Sequence, residues 1–447
     1  MKIFSITKAR IYLILVLSLV LTACAPAGGQ NQQTTTLIYA NLTEGGVDRQ
    51  MVDRFNRTHE DVQIEVRDYF DEDGRSGKSR LLTAMAAGNI PDIIDLGRGQ
   101  SVLPYPVLAR RGFLEDIWPY IENDPDLGRA GVLEAPLRAA EVDGSLYAAF
   151  GAVSINTLIG AESVVGDRNS WTLAELLEAF SSMPEDSTIL EYGRVRDYLF
   201  ECLFSMSIDS YVDWETGECS FISDKFKDAL QFVNNFPMQI NTPEGADVNA
   251  EIVDRIFSGR QMLSMQRITG PRDLQWMDSY FGLGGTISFI GYPMEDGSIG
   301  SSFRILEGKK LAMSSTCQNK EAAWEFLRNI FLSKFKSADS LIANGCPYIP
   351  VNRADYDLLI ECSTRRDMGG TVSYCTGPRV KIRKTTQDEL QRFENLLNSI
   401  DKIDLYNTAI YEIVYEASEA YFAGDKTLDE TVNIIQNRVS LYVNENR

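Results

Sequence analysis

The sequence predicts an α/β protein of two lobes, and three observations carry that expectation. Strand-like and helix-like segments alternate through the first ordered stretch, the pattern of a parallel sheet with helices on its faces. The chain has 447 residues, more than one hydrophobic core usually serves. Hydrophobic residues make up 44% of it, ample for two cores.

The N-terminus reads as an export signal. Lys2, Lys8 and Arg10 form a positive region, and Ile11 to Leu21 is an apolar run too short for a comfortable membrane span. It ends in Leu21-Thr-Ala-Cys24, which matches the lipobox of bacterial lipoproteins, with cleavage before Cys24. A signal peptide with a chance cysteine is the alternative. Two acyl chains on Cys24, each buried CH₂ contributing about 0.8 kcal/mol, suffice for stable anchoring. Residues 1–23 are then the signal and 24–36 a lipidated cysteine with its tether. Ala25 to Thr36 holds no large apolar residue and should behave as a flexible linker with a reach of about 20 Å.

The first strand is Thr36 to Ala40, followed by a polar turn and a helix with Val47, Met51 and Phe55 on one face. Val62, Ile64 and Val66 alternate with polar residues as a strand does. A helix over Ser79–Ala87 stops at Gly88, and Asp92 to Leu96 returns as a buried strand. A second region begins near Phe150. Thr172 and Glu175 form a capping box, and Trp171 with Leu176 a hydrophobic staple, which makes Trp171 structural rather than ligand-binding. Ser223 caps a helix with Phe226, Leu230 and Val233 inside. Asn249 to Phe257 is a further helix, Met262 to Gln266 a strand, and Lys310 to Ser314 another. The C-terminal portion is helical, with capping boxes at Thr386/Glu389 and Thr427/Glu430. Cys362 to Cys375, with Gly369 and Gly370 inside, reads as an inserted loop or hairpin.

The net charge of −20 argues against nucleic acid and against direct binding to anionic headgroups. Besides Cys24, Cys202, Cys219, Cys317, Cys346, Cys362 and Cys375 remain. Their even number permits disulfides outside the cytoplasm, Cys362–Cys375 being the local pair, and buried thiols serve as well. No CxxC spacing supports zinc. His59 is the only histidine, which removes most transition-metal sites and multi-histidine triads. Gly77-Lys-Ser79 lacks the earlier glycine of a phosphate loop, since Glu72 stands there. Asp71, Asp73 and Gly74 fail the calcium-loop pattern at Tyr69. Asn123, Asp124 and Asp126 read as an exposed turn rather than a metal site. No metal and no cofactor is expected.

Four stretches resemble the extracellular solute-binding proteins of carbohydrate ABC importers. Leu82 to Asp92 resembles the family's helix ending in aaGnaPD. Asp143 to Tyr147 is followed at the family's distance by Ser170 to Leu176. Asn319 to Leu327 is similar to its nkeaAweFl, and Gly424 to Glu430 with Ile435 to Val439 to its C-terminal end. The resemblance runs from about Thr36 to Glu445. It implies a two-lobed, periplasmic-binding-protein-like fold, each lobe a mostly parallel sheet flanked by helices, with the ligand cleft between lobes. The boundaries expected are 37–149 with 301–360 for one lobe and 150–300 with 361–447 for the other. It implies further a sugar or oligosaccharide ligand captured by lobe closure, ABC permease subunits as partners, a monomer, and an extracytoplasmic place on the membrane. The Asp68–Asp73 turn and the Cys362–Cys375 loop depart from the family pattern and either decorate the surface or modify the cleft rim.

Ligands of open parallel sheets bind beyond the carboxyl ends of the strands, and sugars need aromatic faces together with carboxylates, amides and arginines. By that rule the candidates are Asn41 and Glu44 after the first strand, Arg98 after the strand ending at Leu96, and Phe150 at the first crossover. Arg267, Trp276 and Tyr292 complete the set. Core packing is the alternative for each aromatic, and a solvated surface for each charge. Two other functions stay open: a sensor or adhesin of the same fold, and a glycoside hydrolase, for which no carboxylate pair is singled out.

Overall fold

The structure is a computed structural model and describes residues 34–45, 48–70, 77–97, 103–191, 196–204, 206–238, 247–294, 296–306, 310–343, 348–365, 370–405 and 408–446. Cys24, Arg98, Cys346, the side chain of Cys202 and the segment Asp71–Gly74 lie outside the described residues. The strands are β1 (Thr35–Asn41), β2 (Val62–Asp68), β3 (Ile93–Asp95), β4 (Glu141–Val142), β5 (Ser145–Leu146), β6 (Ala152–Ala161) and β7 (Leu263–Ile268). They continue with β8 (Ile287–Phe289), β9 (Ser302–Ile305), β10 (Leu311–Met313), β11 (Ile349–Pro350), β12 (Thr371–Val372) and β13 (Val380–Lys381).

The described residues divide into two compact units, those of 34–37 with 48–65 and those of 38–45 with 66–446. In the first, Asp48 caps the helix Arg49–Thr58 by accepting from Met51 N. Val52 and Phe55 are its buried residues, so the inner face is rotated slightly from the Met51 face expected. Asn56 ties this helix to the start of β2, donating to Ile64 O and accepting from Ile64 N.

In the second unit β3 pairs with β1 in parallel, Tyr39 opposite Ile93, and with β10 antiparallel, Ala312 opposite Ile94. The Asp92 carboxylate accepts from Ile38 N at 2.8 Å and pins the entry of β3 to β1. The preceding helix, Lys78–Ala86, ends as expected at Gly88, whose φ of 85° only glycine adopts without strain.

A second sheet is built on β6, a ten-residue strand buried at every position but Asn156. Here the expectation of a mostly parallel sheet is corrected. β7, β8, β9 and β11 all pair with β6 antiparallel. Strand–helix alternation establishes that strands exist, whereas their direction is set by partners remote in sequence. Among the described residues the parallel contacts here are isolated bridges, Thr188 to Gln261 and Phe303 to Ile403.

Helices pack in two apolar clusters, of which the second reaches the sheet built on β6. The helices 196–204, 224–234, 408–422 and 428–446 share one, centred on Phe200, Phe204, Phe226 and Val439. Trp171, Leu176, Leu158, Leu263 and Tyr292 share the other, with Trp171 Nε1 donating to Gly291 O. The capping boxes at Thr172, Thr386 and Thr427 form as read.

In the Asn123–Asp126 segment, Asn123 and Asp126 are exposed as read, and only Asp124 departs from the exposed turn. Asp124 is only 8% exposed. It accepts from Arg328 Nε at 2.7 Å, Arg328 Nη2 at 2.9 Å and Trp324 Nε1 at 3.1 Å. A bidentate guanidinium satisfies it without any cation, and no group of metal-binding side chains occurs among the described residues.

Candidate functional site

Strand ends place the first group of polar side chains. Asn41 closes β1, Asp68 closes β2 and Asp95 closes β3. Asn41 is buried; its amide donates to Asp68 Oδ1 at 2.6 Å, and its own Oδ1 has no hydrogen-bond partner. Asp95 accepts from Gly97 N at 2.9 Å, which turns the chain directly after β3. Glu44 lies in the exposed turn that follows Asn41.

The other candidates separate. Arg267 stands on β7 opposite Asn156, and alternation along a strand puts Met265 on its face and Ser264 and Gln266 on the other. Arg267 is exposed, whereas Tyr292 is buried with its hydroxyl on Met265 Sδ. Tyr292 is seated by a close backbone approach: a Cβ on Gly300 would lie 1.8 Å from Tyr292 O. Phe150 is fully enclosed where the chain enters β6.

Trp276 belongs to a different group. It lies on the helix Asp273–Phe281, half-buried, and stacks on Tyr374 at 6.1 Å and 15°. Tyr280 and Phe281 meet the Tyr374 ring edge-on. Asp273 accepts from Thr269 N and Oγ1 and from Trp276 Nε1. Burial pushes its carboxyl up from the usual range despite the hydrogen bonds from Thr269.

Tyr374 leads on to Glu191, a residue not among the sequence candidates. Glu191 is 4% exposed. Its Oε1 accepts from Ser264 Oγ at 2.6 Å and from the Tyr374 hydroxyl at a long 3.5 Å; Gln266 Nε2 donates to Ser264 Oγ at 2.7 Å. Its Oε2 has no hydrogen-bond partner among the described residues. The corner is thus a carboxylate with one free acceptor beside stacked aromatic rings. It sits on the Ser264–Gln266 face of β7, opposite Arg267.

Local sequence explains how Tyr374 arrives there. The segment read as a loop or hairpin, 362–375, begins in the helix Arg353–Arg365 and holds only β12. β12 and β13 form a hairpin, Thr371 opposite Lys381, with the return strand beyond that segment. Gln275 holds its return strand by exchanging two hydrogen bonds with the Arg383 backbone, at 2.9 and 3.0 Å. The Tyr280 hydroxyl accepts from Tyr374 N and donates to Pro378 O. Gly377 allows this approach, since a Cβ there would fall 2.6 Å from the Tyr280 ring. Cys362 is buried in the helix before this hairpin and Cys375 is exposed on it. Glu191 lies three residues beyond the Thr188–Gln261 bridge, and Met262 N and Leu263 N donate to Thr188 O and Ile189 O, which holds this segment beside β7.

Two grooves of about 690 Å³ lie elsewhere. One is lined by Tyr120, Asp124, Trp324 and Arg328, the other by Arg168, Phe289 and Arg392. Their main charges are engaged internally: Asp124 with Arg328, and Arg392 with Asp278 at 2.8 Å. A smaller cavity of about 320 Å³ is lined by Tyr105, Val142, Met206, Met294 and Leu405. Burial pushes the Tyr105 phenol far up; its hydroxyl donates to Ala140 O.

No protein-family model matches the chain, and no curated protein matches it. Solved structures do. The sugar-binding protein MalE from Xanthomonas citri is similar at 16% identity and a TM-score of 0.50, over 92% of this chain and 98% of that one. A de novo designed cysteine esterase is similar at 13% identity and a TM-score of 0.51, over 92% and 99%. A family 1 extracellular solute-binding protein from Alicyclobacillus acidocaldarius reaches 0.47 at 13% identity, over 92% and 98%. At such identities the likeness is one of fold. The chain has the α/β, periplasmic-binding-protein-like fold that the sequence led us to expect.

Proposed function

We propose that the protein captures a carbohydrate outside the cytoplasm and delivers it to the permease subunits of an ABC importer, held to the membrane through lipid on Cys24. One observation carries the reading. Asn41 Oδ1 and Glu191 Oε2 are among the buried acceptors that stand without donors in the described residues, the second beside the stacked Trp276 and Tyr374 rings. Sugar hydroxyls donate to such acceptors while the C–H face of the ring covers an aromatic plane. The fold supports the same reading, because MalE of Xanthomonas citri is a sugar-binding protein. We place the lobe boundaries as the sequence suggested, 37–149 with 301–360 and 150–300 with 361–447, with closure about the crossovers burying the ligand. The protein acts as a monomeric binder, not an enzyme. No helix among the described residues is long and apolar enough to cross a membrane, which suits an anchor of lipid. Cys24→Ser should therefore release the protein from the membrane fraction.

A thermal-shift screen against mono- and oligosaccharides tests capture, since ligand at 100 times its dissociation constant adds about 2.7 kcal/mol of stability. For the responding sugar, Trp276→Ala should weaken binding by about 1–3 kcal/mol. No response to any glycan contradicts the reading, and so does a Trp276→Ala variant of unchanged affinity.

A further inference from the structure

We propose that the saccharide taken at the Glu191 corner carries a protonated amine, which makes the ligand class an amino sugar rather than a neutral one. This rests on the carbohydrate-binding reading above and adds the charge of the ligand to it.

The argument starts from how this chain treats its other buried carboxylates. Asp124 is held by Arg328 and Glu389 by Arg383 at 2.7 Å; the half-buried Asp278 is likewise held by Arg392. Asp355, 2% exposed, has no cationic partner among the described residues but receives three donors: Ser333 Oγ, Lys334 N and Phe335 N. Glu191 has neither solution. No cationic side chain among the described residues pairs with it. One of its oxygens receives Ser264 and, at long range, Tyr374; the other receives nothing. A buried carboxylate kept without counter-charge is costly. A neutral hydroxyl would fill the vacant acceptor and leave the charge uncompensated. An ammonium group supplies donor and charge together.

The neighbouring rings favour the same chemistry. Trp276 and Tyr374 lie nearly parallel, and Tyr280 and Phe281 close around Tyr374. Aromatic faces attract a desolvated cation through the ring quadrupole, Trp most strongly. A sugar that stacks its C–H face on Trp276 and turns an amine toward Glu191 satisfies both features at once. Tyr374 rides on a hairpin paired at two positions only, the element best able to yield as the ligand enters.

The test is calorimetric titration of a free-amine glucosamine trisaccharide, its fully N-acetylated counterpart and maltotriose into the whole protein. Acetylation removes the charge and keeps the ring. We expect the free amine to bind about 10- to 100-fold more tightly than either neutral sugar, the difference a charge-assisted hydrogen bond makes. Glu191→Gln should bring the three to comparable affinity, and raising the pH through the titration of the ligand's amine should erase the preference in the wild type. Trp276→Leu keeps apolar packing without the indole face and should weaken the free-amine sugar more than the acetylated one. Because the chain carries a net charge of −20, titrations are run at about 0.15 M salt, where general attraction is screened. A preference that disappears at that salt, or survives in Glu191→Gln, overturns the inference. Neutral sugars binding as well as the amine overturn it also, while carbohydrate capture stands. If no trisaccharide of either kind binds, this inference fails, and no response across the wider screen removes the capture reading as well.

Discussion

Asp124 and Glu191 are both buried carboxylates, yet their surroundings differ. Asp124 receives two guanidinium hydrogen bonds, an indole N–H and the Asp126 backbone N–H. Glu191 receives one short hydroxyl contact and one long one, and keeps an oxygen empty. A saturated buried charge holds its own fold together and has nothing left to offer. An unsaturated one is a liability to the apo protein and an asset only if something else completes it. The comparison teaches where in this molecule to look for stability and where for binding.

The largest expected effect breaks the first corner. Asp124→Asn leaves Arg328 enclosed without its main partner, although Asp126 and Glu325 remain beside it. Removing one partner of a buried pair costs about 3–5 kcal/mol, and the remaining acids argue for the lower end. Denaturant unfolding measures it, and a loss under about 1 kcal/mol would show the pair to be ornamental. Acid unfolding sharpens the point. The hydrogen bonds from Arg328 hold the Asp124 carboxyl below its ordinary range. Its stabilisation is present above the unfolded-state value of about 3.9 and is lost as pH falls through the lower folded value. The wild type should lose stability steeply below about pH 4, and Asp124→Asn less so.

A smaller effect moves the second corner. Gly377→Ala puts a methyl group against the Tyr280 ring and should cost about 1–3 kcal/mol as the hairpin shifts. Tyr374 moves with the hairpin, so sugar affinity should fall too; stability loss with unchanged affinity would separate the hairpin from the site. Smallest is Thr386→Ala, which removes one capping box and should cost about 1 kcal/mol in unfolding and nothing in binding.

How much of this was legible depended on the distance over which each feature is decided. The capping boxes at Thr172 and Thr386 are settled within four residues, and the sequence showed them. Trp171 was readable as a core residue because its staple partner Leu176 is five positions away. The antiparallel course of β7 against β6 was not, since Arg267 and its opposite Asn156 are joined only by the finished fold. Asp124 looked like an exposed turn because Arg328 is 204 residues away. Glu191 and Tyr374, 183 residues apart, were missed as a pair for the same reason. Asn41 ends β1, the kind of position the strand-end rule selects, while Arg267 lies on the face of β7 away from Ser264 and Gln266 and Trp276 lies on a helix.

The most direct measurement pairs the two corners in one experiment: unfolding free energy and affinity for the responding saccharide, in Glu191→Gln and in Asp124→Asn. Glu191→Gln should unfold within about 1 kcal/mol of the wild type without ligand and bind at least about tenfold more weakly. Asp124→Asn should lose about 3 kcal/mol and bind as before. A Glu191→Gln variant that loses stability while keeping full affinity would contradict the account, because Glu191 would then be doing for the fold what Asp124 does.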